Sequence, residues 1–178
     1  MLGTIERFSV YSRRAVGVVL FLLPASAGMS DEPLEPRKDF AVDSPNGRCT
    51  AQAQLGPWRI VGLRREANRT VELWSIPEHR RFFMISDDCD SLVVIYDGGN
   101  LLNLEDNNPG TVVLTFYHAG QPGRRVRLGD IYSPSGGPMR TVSHWAWYTR
   151  IDWKEGLLVV ETVDGRRIFF DPRSGQSL

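Results

Sequence analysis

From Phe40 to Leu178 no window repeats apolar residues at i, i+3, i+4 and i+7 for long enough to build a helix. The apolar residues fall instead in short runs rich in Val, Ile, Leu, Phe, Tyr, Thr and Trp, separated by Gly, Pro, Asn and Asp. That pattern restricts the chain to strands and turns. The regular candidates are Thr70–Ile76, Phe82–Ser86, Leu92–Tyr96, Thr111–Tyr117, Arg125–Leu128, Thr141–Thr149, Leu157–Thr162 and Arg167–Phe170, with Ala51–Leu55 and Trp58–Leu63 less regular. Asp164-Gly165 predicts a type I′ hairpin, whose two central residues both take positive φ. Asp97-Gly98-Gly99-Asn100, Asn107-Asn108-Pro109-Gly110 and Gly136-Gly137-Pro138 mark further turns. The expected fold class is all-β, built of antiparallel meanders.

One stretch organises the rest. In Arg81–Gly99 two apolar runs, Phe82–Ile85 and Leu92–Tyr96, flank the acidic turn Asp87-Asp88-Cys89-Asp90, the pattern of an antiparallel hairpin. Three segments end alike: Arg69–Trp74, Arg124–Gly129 and Arg166–Asp171 each set basic or polar residues ahead of an alternating apolar pair and then a turn. Ahead of the first two lie Ser44-Pro-Asn-Gly-Arg-Cys-Thr-Ala and Ser86-Asp-Asp-Cys-Asp-Ser-Leu-Val; Asp152-Trp-Lys-Glu-Gly-Leu-Leu-Val takes the corresponding place for the third. Ser44 and Ser86 are 42 residues apart, close to a propeller-blade period. These segments resemble the β-propeller blades of secreted bacterial proteins, which open with Ser-(Pro/Asp)-(Asp/Asn)-Gly before a strand; in the second unit Cys89 stands where that Gly would be. The resemblance covers Ser44–Pro172. The chain is also similar to secreted bacterial proteins of unknown function with this strand order, which implies no activity. Closed propellers typically have four or more blades, so three blade-like units imply an open arc or a β-sandwich.

The N-terminus has the layout of an export signal. Arg7, Arg13 and Arg14 precede the apolar run Ala15–Leu23, Pro24 breaks it, and Ala25-Ser26-Ala27 supplies the small residues of a cleavage site. That run is shorter than the roughly 20 residues a membrane-spanning helix needs. Ser12-Arg13-Arg14 lacks the sequel of a twin-arginine signal, and no Cys follows the run to take a lipid. The expected organisation is a signal peptide over 1–27, a flexible tether over 28–39 and one all-β domain over 40–178, secreted or periplasmic in a bacterium. Removing the signal takes three Arg and one Glu and leaves 18 basic against 20 acidic residues. A nearly neutral chain lacks the basic face that nucleic acid requires. Only Lys38 and Lys154 of its cations are lysine, a bias that GC-rich coding accounts for. In such a source the sequon Asn68-Arg69-Thr70 has no glycan to accept.

Few patterns carry chemistry. Cys49 and Cys89 are either a disulfide, as an oxidising compartment allows, or two separate thiols. A bridge closing about 41 residues would contribute roughly 4 kcal/mol in the chain-entropy description. The histidines are His79, His118 and His144, and the first and second fall in expected loops. Ser143 and His144 would point to opposite faces of a strand and so would not pair. No Gly-x-Ser-x-Gly, His-x-x-x-His or Cys-x-x-Cys spacing occurs. Asp87, Asp88, Asp90 and Asp97 could gather around Ca²⁺ but lack the EF-hand order, and Asp is ordinary in turns. No metal or cofactor is expected.

The aromatic run His144-Trp145-Ala146-Trp147-Tyr148 is the most distinctive feature. Read as a strand, it puts Trp145 and Trp147 on one face and Tyr148 on the other. The pair would either stack on sugar rings or form sheet core; Trp58 and Trp74 are expected to pack. The expected function is a non-enzymatic β-sheet scaffold with an unknown protein or cell-surface glycan as partner. The alternatives are a carbohydrate-binding module using Trp145, Trp147 and Tyr148, and a hydrolase with an unrecognised site.

Overall fold

The computed structural model describes residues 36–132 and 136–178. The expected signal peptide and most of the expected tether lie outside them. The first sheet is a meander of β1 (Phe40–Asp43), β2 (Cys49–Leu55), β3 (Trp58–Glu66) and β4 (Arg69–Ile76), in that order. The second opens with β5 (Phe83–Ile85) and β6 (Ser91–Ile95), loses the chain to β7 (Leu101–Leu102), and resumes with β8 (Val112–His118) and β9 (Gln121–Arg127). After the short helix α1 (Leu128–Ile131) come β10 (Met139–Arg140) and β11 (Trp145–Ala146), which join β7 in a small accessory sheet. The third large sheet is β12 (Tyr148–Lys154), β13 (Leu157–Thr162) and β14 (Arg167–Phe170). All pairings between these strands are antiparallel. The expected all-β class and meander architecture are present.

The three large sheets share two cores, and β6 belongs to both. Leu92 and Val94 enter one core with Phe83, Ile85 and Tyr117 of their own sheet and Ala51, Ile60, Trp74 and Ile76 of the first. Val93 and Ile95 enter the other, with Leu114 and Phe116 of β8 and Leu158, Val160 and Phe170 of the third sheet. Side chains alternate across a strand with period two, so a run apolar at every position is buried on both faces. All five residues of β6 are buried. The second sheet is therefore the middle layer of the stack.

The segments read as ending alike are β4, β9 and β14, the last strand in the order of each large sheet. The turns that open the units are also alike. Ser44 and Ser86 each donate their backbone N–H across six residues, to the carbonyls of Cys49 and Ser91, both at 2.9 Å. Each Ser hydroxyl then receives the N–H of that same closing residue and bonds the side chain two residues on, Asn46 or Asp88. The third copy is Asp171–Gln176, closed by Asp171 N–H to the Gln176 carbonyl at 2.9 Å. It is not Asp152–Gly156, as the sequence suggested, because Glu155 and Gly156 (φ +52° and +80°) make a tight two-residue link from β12 to β13.

The three turns lie side by side. Asp87 accepts from the Asn46 backbone N–H at 2.8 Å, Arg173 lies 3.6 Å from Asp88, and Cys49 and Cys89 form a disulfide with Cα atoms 5.2 Å apart. The bridge was one of two open possibilities from sequence, and it is the one present. Cys89 has φ +66°, and the matching residue of the first turn is Gly47 at φ +69°. A residue with a Cβ adopts that conformation only at a cost, on the order of 1 kcal/mol or more. Buried Trp74 reinforces the spot by donating its indole N–H to the Cys89 carbonyl at 2.8 Å.

Three details depart from expectation. Asp164-Gly165 is not a type I′ hairpin: only Gly165 has positive φ, and Thr162 closes a wider loop onto the Arg166 carbonyl with its hydroxyl bonding Asp164. The paired positive φ values occur at Ala119-Gly120 and Glu155-Gly156. The expected strand 141–149 is broken, since residues 141–144 bend and Trp147 separates β11 from β12. Within the expected tether, Pro36–Asp39 is held: Arg37 bonds the His79 carbonyl and Asp97, both at 2.7 Å, and Asp39 accepts from Leu55 N–H at 2.7 Å.

Replacing both cysteines with serine is expected to lower unfolding stability by about 4 kcal/mol, from loop entropy returned to the unfolded chain. A Cys49→Ser/Cys89→Gly protein should recover about 1 kcal/mol of that loss, because glycine accepts positive φ. Urea unfolding of the two variants measures the difference; equal midpoints would contradict the strain assigned to Cys89.

Candidate functional site

The connector from the first sheet to the second, Pro77–Phe82, carries four ionisable residues in succession, Glu78-His79-Arg80-Arg81. Each has a fixed place. Glu78 accepts a short hydrogen bond from the Tyr117 hydroxyl of β8, and its other oxygen takes the Arg80 Nε–H at 2.7 Å. Arg81 reaches Asp97 at 2.8 Å, where Arg37 also arrives at 2.7 Å. His79 is buried, edge-on to Phe40 at 6.2 Å and tilted 5.9 Å from Trp58. Its Nε2 lies 3.1 Å from the Lys38 carbonyl. A carbonyl only accepts, so Nε2 carries a hydrogen, and Nδ1 is buried with no hydrogen-bond partner among the described residues.

Beside this connector the second sheet is only partly covered, and a cleft of about 340 Å³ opens there. Cross-strand register builds it. Val94, Thr115 and Arg125 form one row across β6, β8 and β9, so a valine and a threonine lie on the floor and an arginine on the far side. Glu78, Arg80 and Asp97 supply charge from the opposite rim. The volume lies at the lower end of the range for small-ligand sites.

Electrostatics hold the protons in place. Burial by itself would raise the Glu78 pKa, but the Tyr117 hydrogen bond, Arg80 and the charge of Arg125 together bring it below the usual glutamate value. The Tyr117 hydroxyl is pushed up to about 12, by burial first and then by the carboxylate it bonds. At neutral pH Glu78 is a carboxylate and Tyr117 a phenol. Groups with pKa values this far from 7 are poor proton-transfer catalysts and good fixed hydrogen-bonding partners.

The residues singled out from sequence lie elsewhere. Trp147 is fully buried, its indole N–H on the Gly99 carbonyl at 2.8 Å and its own carbonyl bonded by the Tyr132 hydroxyl. Tyr148 packs edge-on against it at 4.6 Å. Trp145 is half-buried beneath Arg140, 5.7 Å from its ring. Trp147 belongs to one core and Trp145 packs against that same core, and Trp147 separates β11 from β12, so the run is not one continuous strand. Ser143 and His144 do touch, Oγ to Nδ1 at 3.0 Å, because the chain bends there instead of running as a strand. Trp58, expected to pack, is 58% exposed with Arg37 over its ring at 5.2 Å. Asp87 and Asp88 bond neighbouring turn residues, and no set of three His, Cys, Asp or Glu that could hold a metal gathers among the described residues.

Glu78, Arg80, Tyr117 and Arg125 were not singled out from sequence. They come from the connector and two different strands, and only the charged run 78–81 was visible. No family model, curated protein or solved structure matches the chain.

The Tyr117 assignment predicts a pH effect. A hydroxyl raised from 10.0 to about 12 on folding contributes stability that is present below pH 10 and lost as pH rises through 12. Tyr117→Phe should make the decline of stability between pH 10 and 12 gentler, measured by chemical unfolding at each pH. An unchanged decline would show that Tyr117 ionises normally.

Proposed function

We propose that the chain is an exported, non-catalytic recognition module: a disulfide-tied stack of β-sheets that presents the cleft beside Pro77–Phe82 to a molecule outside the cytoplasm. One observation carries this reading. The polar groups converging on the cleft are fixed in mutual pairs, Tyr117 with Glu78, Glu78 with Arg80, and Asp97 with Arg81 and Arg37. Side chains held in this way lose little entropy when a partner arrives, which favours binding. Among them the Glu78 carboxyl is held below the usual glutamate value and the Tyr117 hydroxyl is pushed up to about 12.

The export signal read in residues 1–27 and the Cys49–Cys89 bridge support an oxidising destination. No helix among the described residues is long and apolar enough to cross a membrane. With Trp147 enclosed, the cleft is a better candidate contact for a glycan or protein partner than the aromatic run.

A thermal-shift panel of saccharides, short peptides and small metabolites tests the proposal. At least one class should raise the melting temperature of the wild-type protein, and Thr115→Phe, which fills the cleft floor, should abolish the shift while the exposed substitution Val142→Ser should not. Turnover of a generic ester, peptide or glycoside by purified protein would overturn the non-catalytic reading.

A further inference from the structure

We propose that the cleft takes an oxyanion, carboxylate or phosphate, borne on a small polar ligand and held between Arg80 and Arg125. The inference rests on the recognition reading above and specifies its ligand.

Local charge is the first ground. The whole sequence balances 21 basic against 21 acidic residues, yet around this cleft four guanidinium groups meet two carboxylates. Asp97 is occupied by Arg37 and Arg81 together, so its charge is compensated from behind the cleft wall. Glu78 is compensated by Arg80. Two positive charges remain in excess, one where Asp97 meets its two arginines and one at Arg125. The Arg125 guanidinium makes no hydrogen bond or ion pair among the described residues, and its field is felt at Glu78 and Tyr117.

Geometry is the second. Thr115 precedes Arg125 in the cross-strand row and brings a hydroxyl donor to the floor. Arg80 spends its Nε–H on Glu78 and keeps its terminal N–H groups for other acceptors. Guanidinium groups match the planar pairs of oxygen atoms on carboxylate and phosphate and bond them bidentately. Val94 and Val112 line the space beside them, and Arg125 stands exposed at its edge, accessible to a ligand from solvent. Tyr117 is committed to Glu78 and offers an incoming group its oxygen lone pairs, which suits a hydroxyl beside the anion.

Calorimetric titration at low ionic strength with glucuronate, glucose, inorganic phosphate and sulfate tests the proposal. Glucuronate or phosphate should bind, glucose should bind at least tenfold more weakly, and added salt should weaken the anion. Arg125→Ala should reduce anion affinity tenfold or more and Arg125→Lys should restore part of it. Arg64→Ala, an equal loss of charge on the first sheet, should change nothing. Preference for glucuronate identifies a carboxylate ligand and preference for phosphate a phosphorylated one; either supports the proposal. Glucose binding as tightly as glucuronate would overturn the oxyanion inference and leave the recognition reading standing. Silence from every anion, with a neutral ligand found in the thermal-shift panel, would do the same. Silence in both experiments would overturn both readings. Anion binding that survives both Arg125→Ala and Thr115→Phe would be surface attraction only and would overturn the assignment to the cleft.

Discussion

Burial of β6 on both faces is the constraint on which the other layers depend. A strand that faces water on one side needs only one apolar stripe; Leu92–Ile95 has two, and each must be covered. The first sheet covers Leu92 and Val94, and the third covers Val93 and Ile95. At roughly 25 cal/mol per Å² of apolar area removed from water, covering both stripes favours a three-layer stack over an isolated second sheet. A one-residue slip in the register of β6 would exchange its two sets of side chains between cores built for different neighbours. The cleft follows from this arrangement, since it lies where the first sheet stops short of the full width of the second.

The row of turns ties the layers at one end. Hydrophobic contact between sheets is nondirectional and tolerates sliding; hydrogen bonds between Asn46 and Asp87 and the Cys49–Cys89 bridge do not. Serine followed two residues later by Asn or Asp makes a turn that satisfies its own backbone, so the same device opens two sheets and, in a variant beginning with Asp171, follows β14. In the variant the left-handed residue, Gly175, falls one position later. Cys89 uses the turn differently. It takes the backbone conformation of a glycine and adds a covalent link that a glycine could not make.

Most of the architecture was legible because strand and turn signals are local. The three similar segments at Arg69, Arg124 and Arg166 do end their sheets, and the turns at Ser44 and Ser86 are equivalent. What failed was finer in scale. Asp164-Gly165 looked like a two-residue hairpin, but the Thr162 hydroxyl captured Asp164 and the Arg166 backbone and widened the loop. The run 141–149 had strand composition, yet Trp147 is turned inward by two buried hydrogen bonds that composition does not encode. The repeat was misassigned at Asp152 because its spacing to Gly156 imitates that of Asp171 to Gly175, yet Asp152 pairs with Val159 inside the β12–β13 hairpin and its carboxylate accepts from Arg150 and the Trp153 N–H. The cleft was illegible for a different reason. Glu78 and Tyr117 are 39 residues apart, and only the layering of two sheets brings them together.

The surroundings of Glu78 hold it as a carboxylate, and the recognition proposal leans on that state. A general acid or base works best when burial or a like charge moves its pKa toward 7. Here burial acts in that direction, and three partners overrule it: the Tyr117 hydroxyl, the Arg80 guanidinium and the field of Arg125. Burial, and then the bond to Glu78, drives Tyr117 the other way, to about 12, so the proton stays on the oxygen of the phenol. An arrangement that separates two pKa values so widely fixes a pattern of donors and acceptors. Beside it the Arg125 guanidinium meets no acceptor among the described residues, and Thr115 and Val94 shape the floor. The proposed binding of an anionic group rests on these placements.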